Sequence, residues 1–125
     1  MIAIEGNVLF QAGRAVIRPQ ARVTLDGIAS TVRGEYADKD ILVVGHTDDQ
    51  PIKKSGWTDN FQLSTERSLA VARYLQQHGV APNRLIAGGC GEHRPRKPND
   101  TQAGKASNRR VEVFAVEPIA RDVQP

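Results

Sequence analysis

Short apolar runs and stretches of helical period alternate along this chain, and each change of period marks an element. Asn7-Val8-Leu9-Phe10 reads as a short first strand, followed by a polar turn at residues 11–14. Pro19 suits the first turn of a helix, where its missing N–H costs nothing. Leu25, Ile28, Ala29, Val32 and Tyr36 then fall on one stripe, predicting a helix over 19–36 that Gly27 and Gly34 weaken slightly. Ile41-Leu42-Val43-Val44 is β-branched, continuous and stopped by Gly45, the pattern of a strand buried on both faces. A polar loop carries His46, Thr47, Asp48, Asp49 and Trp57 to a second helix. Asp59 or Asn60 caps that helix, Leu63, Ala70, Val71, Tyr74 and Leu75 form its stripe, and Gly79 with Pro82 ends it. Residues 85–89 form a third strand, 93–108 lack any apolar period and read as a surface loop, and 111–116 form the last strand.

Strand, helix, strand, helix, strand, loop, strand implies an α/β two-layer sandwich. About four strands make one mixed sheet, with two main helices on one face. Residues 1–117 are expected to form a single domain, and 118–125 a flexible tail.

The length of 125 residues agrees with one domain, and a chain of this size buries enough surface for a core without staples. The lone cysteine, Cys90, has no partner with which to form an intrachain disulfide. No apolar run approaches the roughly 18 residues of a membrane helix. The first six residues lack the basic start, apolar centre and cleavage site of a secretory leader, so the chain reads as cytosolic or as a fragment without its address. Charge changes the picture only locally. The balance of 17 Lys and Arg against 14 Asp and Glu gives +3, but Arg94, Arg96, Lys97, Lys105, Arg109 and Arg110 crowd into one stretch with Asp100 as its lone acid.

One charge does not belong on its face. Arg67 lies four residues after Leu63, four before Val71 and seven before Tyr74, so it shares the apolar stripe of the second helix. A guanidinium there must reach solvent or meet a carboxylate. Asp48 is the candidate, because it follows the buried strand directly and sits at that strand's carboxyl end, where open α/β sheets tend to bind ligands. Two readings remain open on these grounds. The pair closes a structural salt bridge, or it receives a zwitterion, the carboxylate taking an ammonium and the guanidinium taking a carboxylate in a bidentate fork.

Gly45-His46-Thr47-Asp48, then Asn60-Phe61-Gln62-Leu63-Ser64-Thr65-Glu66-Arg67, then Val71 and Leu75, resemble the signature of the OmpA-like peptidoglycan-binding domain. Gly89-Cys90-Gly91-Glu92 with Pro95, and the segment from Asn99 to Glu112 with its Asn108-Arg109-Arg110-Val111-Glu112 end, resemble later motifs of the same family. The resemblance covers about residues 6–116. It implies a non-catalytic domain that binds the peptide stem of bacterial peptidoglycan through meso-diaminopimelate and anchors a larger envelope protein of stator, lipoprotein or porin type. It places the family's ligand-binding Asp on Asp48 and its helix Arg on Arg67, with Thr47, Asn60, Leu63 and Arg109 lining the same pocket. It also implies a periplasmic location, no cofactor, and the tendency of MotB-type domains to dimerise. Ser68 departs from the Ala usual after the family's Arg. The loop with Asp49-Gln50-Pro51-Ile52 and Trp57 is closest to MotB-type members, but without the ion-conducting membrane helix of a stator only the anchoring half is expected.

Rival chemistries find less support. His46, Asp48, Asp49, His78, Cys90 and His93 show no metal-ligand spacing. Ser64 lacks a nucleophile elbow, and Cys90 between glycines reads as a turn residue. Nucleic-acid binding would use the basic stretch, yet aromatics are only 5% and do not interleave with it. Strand alternation turns Arg109 toward the pocket and Arg110 away. Trp57 either rims the crevice or packs over the loop.

Overall fold

The computed structural model describes residues 1–52 and 56–119. Four strands form one sheet in the order β1-β4-β2-β3, where β1 is Ile2–Glu5, β2 is Asp40–His46, β3 is Leu85–Gly89 and β4 is Arg110–Val116. β1 and β2 each run antiparallel to β4, while β2 and β3 are parallel, so the sheet is mixed as expected. Helix α2 (Arg22–Gly34) and helix α3 (Asn60–Gln77) pack on one face. Between the layers lie Leu25, Ile28 and Val32 of α2, Val71 and Leu75 of α3, and Ile41, Val43, Val111 and Val113 of the sheet. Residues 120–125, the greater part of the expected tail, lie outside the described residues.

The first strand is not where the hydrophobic run suggests. Residues 7–10 do not make a strand: Gly6–Leu9 is the single helical turn α1, and the edge strand is Ile2–Glu5 before it. Leu9 and Phe10 are adjacent and both buried, at 0% and 2% exposure. A strand would have turned one of them to the opposite face. The turn also needs Gly6, whose N–H donates to the Arg109 carbonyl at 2.7 Å and whose position leaves a Cβ only 3.2 Å from that oxygen.

Three further expectations are corrected. The strand at 41–44 is not buried on both faces. Ile41 and Val43 face the helices, whereas Leu42 and Val44 are half-buried on the open side of a two-layer fold. The first helix stops at Gly34, leaving Tyr36 exposed, because Arg84 closes its C-terminal end, donating from Nη2 to the carbonyls of Val32 and Tyr36. The presumed loop at 93–108 contains helix α4 (Gln102–Asn108), capped by Thr101, whose Oγ1 accepts from the Gly104 N–H at 2.9 Å. Its buried residues are Gly104 and Asn108, so it has no apolar stripe to betray it.

Glycine sets how near α3 comes to the sheet. A Cβ on Gly45 would stand 2.1 Å from the Ser64 carbonyl oxygen. This close approach brings the first turns of α3 beside the end of β2, where the candidate site forms.

Candidate functional site

Thr47 and Asp48 follow β2 directly, and the backbone holds them by continuing the sheet past its last formal pair. The Cys90 N–H donates to the Gly45 carbonyl and the Thr47 N–H to the Gly91 carbonyl, both at 2.9 Å. Asp59 caps α3 by accepting from the Gln62 N–H at 2.9 Å. In the next position Asn60 donates from Nδ2 to the Gln50 carbonyl at 3.1 Å, with the Asp48 carbonyl and Glu92 Oε1 each at 3.4 Å. Asn60 thus ties the start of α3 to the loop that carries Asp48.

A crevice of about 960 Å³ opens between this loop, the first turns of α3 and the segment after α1. Asp48, Arg67, Thr47, Asn60, Leu63 and Arg109, the six residues nominated from sequence, all line it. Asp48 and Arg67 are each only 5% exposed.

The charges are not paired as a structural salt bridge between Asp48 and Arg67 requires. Asp48 and Arg67 form no salt bridge. Asp48 Oδ2 instead accepts from Arg109 Nη1 at 2.6 Å, and its Oδ1 accepts from the Gln50 N–H at 3.0 Å. Arg67 donates from Nε to the Arg14 carbonyl at 2.8 Å and from Nη2 to the Gln11 carbonyl at 3.3 Å, and its guanidinium carbon lies 5.0 Å from the Phe10 ring centroid. Among the described residues it meets no carboxylate, and its Nη1 has no hydrogen-bond partner. Burial, with repulsion from Arg109 only partly offset by Asp48, pushes its pKa down to about 10, so it stays cationic at neutral pH.

The fork expected of Arg67 is therefore rearranged. Its Nε edge is held by backbone carbonyls, which leaves the Nη1 end as the part of the guanidinium without a protein acceptor among the described residues. Counting Asp48, Arg67 and Arg109, the floor carries one uncompensated positive charge beside an acidic oxygen pair. That combination suits a ligand bearing both a carboxylate and an ammonium.

The backbone carbonyls of Gln11 and Arg14 that hold Arg67 are not foreseen from the sequence. Carbonyls carry no side-chain signature, and the turn at Gly13, with φ +72°, was the only hint that the chain doubles back here. Trp57 resolves its two readings at once: it lines the crevice and donates from its indole N–H to the Gly13 carbonyl at 2.8 Å.

Arg110 turns away from the crevice, as alternation suggested. It pairs with Glu112 at 3.2 Å in a buried cluster with His46, whose Nε2 is 2.7 Å from Glu112 Oε1. The other candidate ligands scatter. His78 Nδ1 lies 2.8 Å from the Tyr74 carbonyl, His93 packs against Phe61, and no group of three or more His, Cys, Asp or Glu among the described residues is arranged to hold a metal ion. Among the same residues no helix is long and apolar enough to cross a membrane.

Comparison with known proteins shows the family. The OmpA family profile matches residues 9–109. The probable lipoprotein YiaD of Escherichia coli is 34% identical over 113 residues, 90% of this chain and 49% of that protein. The periplasmic domain of Helicobacter pylori MotB superposes with a TM-score of 0.87 at 29% identity, covering 94% of this chain and 75% of that one. The cell wall anchor of the T6SS from Pseudomonas aeruginosa superposes with a TM-score of 0.83 at 32% identity, covering 93% and 80%. The chain spans a third to a half of the length of the first curated relatives it matches. With the profile covering most of its length, the Asp48 and Arg67 crevice at the end of β2 sits in a chain that belongs to the OmpA family.

Proposed function

We infer that residues 1–117 act as one non-catalytic unit that binds bacterial peptidoglycan through the meso-diaminopimelate of the stem peptide and anchors a larger protein of the cell envelope, in the periplasm. The observation that carries this reading is Arg67: a buried cation with no carboxylate partner among the described residues, in the same crevice as the buried carboxylate of Asp48. Diaminopimelate within a stem presents an ammonium and a carboxylate on one free carbon. The carboxylate answers the unpaired charge of Arg67, and the ammonium adds a donor to Asp48 beside Arg109. Thr47, Asn60 and Leu63 shape the wall around that carbon. The kinship with a solved cell wall anchor supports the same assignment.

Co-sedimentation with purified sacculi tests it. The chain should pellet with diaminopimelate-type wall and pellet far less with lysine-type wall, whose side chain carries an amine but no second carboxylate. Asp48→Asn and Arg67→Met, each confirmed folded by circular dichroism, should lose binding by at least tenfold. Equal pelleting with both wall types, or by both variants, overturns the assignment.

A further inference from the structure

The crevice is larger than an amino-acid head group requires. At about 960 Å³ it lies near the upper end of the range for sites that enclose drug-sized ligands. Its lining also varies in exposure. Asp48 and Arg67 are almost fully buried in it, while Val16 is 73% exposed, and Pro51, Ile52 and Trp57 share the lining with the exposed Arg14.

Trp57 is the residue that organises the apolar part of this lining. Its indole N–H is already committed to the Gly13 carbonyl. What it has left to offer the crevice is an apolar ring. Arg67 holds the same turn through the Gln11 and Arg14 carbonyls, so the turn is held by both the guanidinium and the indole. An aromatic face fixed by its own polar edge on the lining of the same crevice is suited to the backbone and aliphatic carbons that lead away from a bound zwitterion.

We propose that Trp57 is a specificity-determining residue of this site, forming with Ile52 and Val16 an apolar collar that takes the peptide extending from the diaminopimelate carbon. This rests on the peptidoglycan reading above. The consequence is a preference for diaminopimelate carried in a peptide over the free amino acid.

Isothermal titration of the chain with free meso-diaminopimelate and with the tripeptide L-Ala-γ-D-Glu-meso-diaminopimelate tests the collar. The wild type should bind the tripeptide about tenfold more tightly, which corresponds to about 1.4 kcal/mol. Trp57→Ala should cost the tripeptide about tenfold more than it costs the free amino acid, and Trp57→Phe, which keeps a ring but loses the Gly13 hydrogen bond, should retain most of the preference. If Trp57→Ala weakens both ligands by the same factor, the indole is only a strut for the turn and the proposal falls. Should that variant not fold, the fluorescence of Trp57, the single tryptophan of the chain, decides. A larger emission shift with the tripeptide than with the free amino acid supports the collar, and equal shifts overturn it. A wild type that binds neither ligand refutes the peptidoglycan reading itself. One that binds both equally refutes the collar alone.

Discussion

Replacing Arg67 with Met separates what this side chain does for the fold from what it does for a ligand. Methionine fills much of the same volume and removes the charge. Two effects oppose each other in the free protein. Burial and Arg109 lower the Arg67 pKa from its ordinary value to about 10, which at about 1.4 kcal/mol per pKa unit makes the charge unfavourable by a few kcal/mol. Its two hydrogen bonds to carbonyls, each charge-assisted and worth about 1.5–3 kcal/mol, more than offset this. The surplus is small because Gln11 and Arg14 are exposed, and water can satisfy part of what their carbonyls lose. Arg67→Met should therefore cost about 1–2 kcal/mol, a fall in Tm of about 4–8 °C for a domain of this size. Ligand binding should respond differently. A bound carboxylate stabilises the wild type by mass action, about 2.7 kcal/mol at a hundred times Kd, and a variant whose affinity falls tenfold or more should gain about 1.4 kcal/mol or less at the same concentration. Thermal unfolding with and without meso-diaminopimelate reads both effects together. A variant that gains as much stability from the ligand as the wild type refutes the role of Arg67 as carboxylate receptor. One destabilised by more than about 5 kcal/mol shows that Arg67 is chiefly a structural strut.

The remaining predictions concern the frame around the site. Gly45→Ala should destabilise by more than about 3 kcal/mol, because its Cβ would collide with the Ser64 carbonyl at 2.1 Å, whereas Gly27→Ala, on the exposed side of α2 with open space around it, should stabilise by about 0.5–1 kcal/mol; equal effects in urea denaturation would contradict this. Asn108 is fully buried and makes four hydrogen bonds, accepting from the N–H groups of Arg96 and Lys97 and donating to the Lys97 carbonyl and Asn99 Oδ1. Asn108→Ala should lower stability by about 2–4 kcal/mol in the same assay, and a loss below about 1 kcal/mol would show that this loop is not pinned there. The buried cluster behind the site should make stability depend on pH. Burial, then Arg110 with a smaller contribution from Arg94, holds the His46 imidazole below its ordinary pKa despite Glu112. The unfolded chain takes up that proton more readily, so stability should fall as pH drops below about 6.5. Burial alone would raise the Glu112 carboxyl, but Arg110 and His46 together hold it below its ordinary value, so its contribution is present above about pH 4.3 and lost on further acidification. Urea midpoints should decline in two stages from pH 7 to pH 3, and His46→Gln should abolish the upper one; a wild-type midpoint constant from pH 7 to pH 5 would refute the shift.

Periodicity made α2, α3 and the strands at 41–44, 85–89 and 111–116 legible, because each buries a regular face of apolar side chains. It misplaced β1 because Ile2–Glu5 is a short edge strand with one buried residue, Ile4, and so leaves almost no alternation to read. It missed α4 because that helix is held by the Thr101 cap and buries Gly104 and Asn108, not by an apolar stripe. Of the site, Arg67 stood out as a cation on an apolar stripe and Asp48 as the carboxylate at a strand end. Their pairing did not follow. The partner of Asp48 arrives from 61 residues further along the chain, and the partners of Arg67 are backbone carbonyls 53 and 56 residues earlier, which every amino acid supplies alike.

A crystal structure of this chain soaked with meso-diaminopimelate tests the central claim most directly. The account predicts the ligand at the floor of the Asp48 crevice, its ammonium on the Asp48 carboxylate and the carboxylate of the same carbon on the Nη1 end of Arg67. A ligand bound elsewhere, or one seated there with its carboxylate on Arg109 while Arg67 keeps only the Gln11 and Arg14 carbonyls, would contradict it.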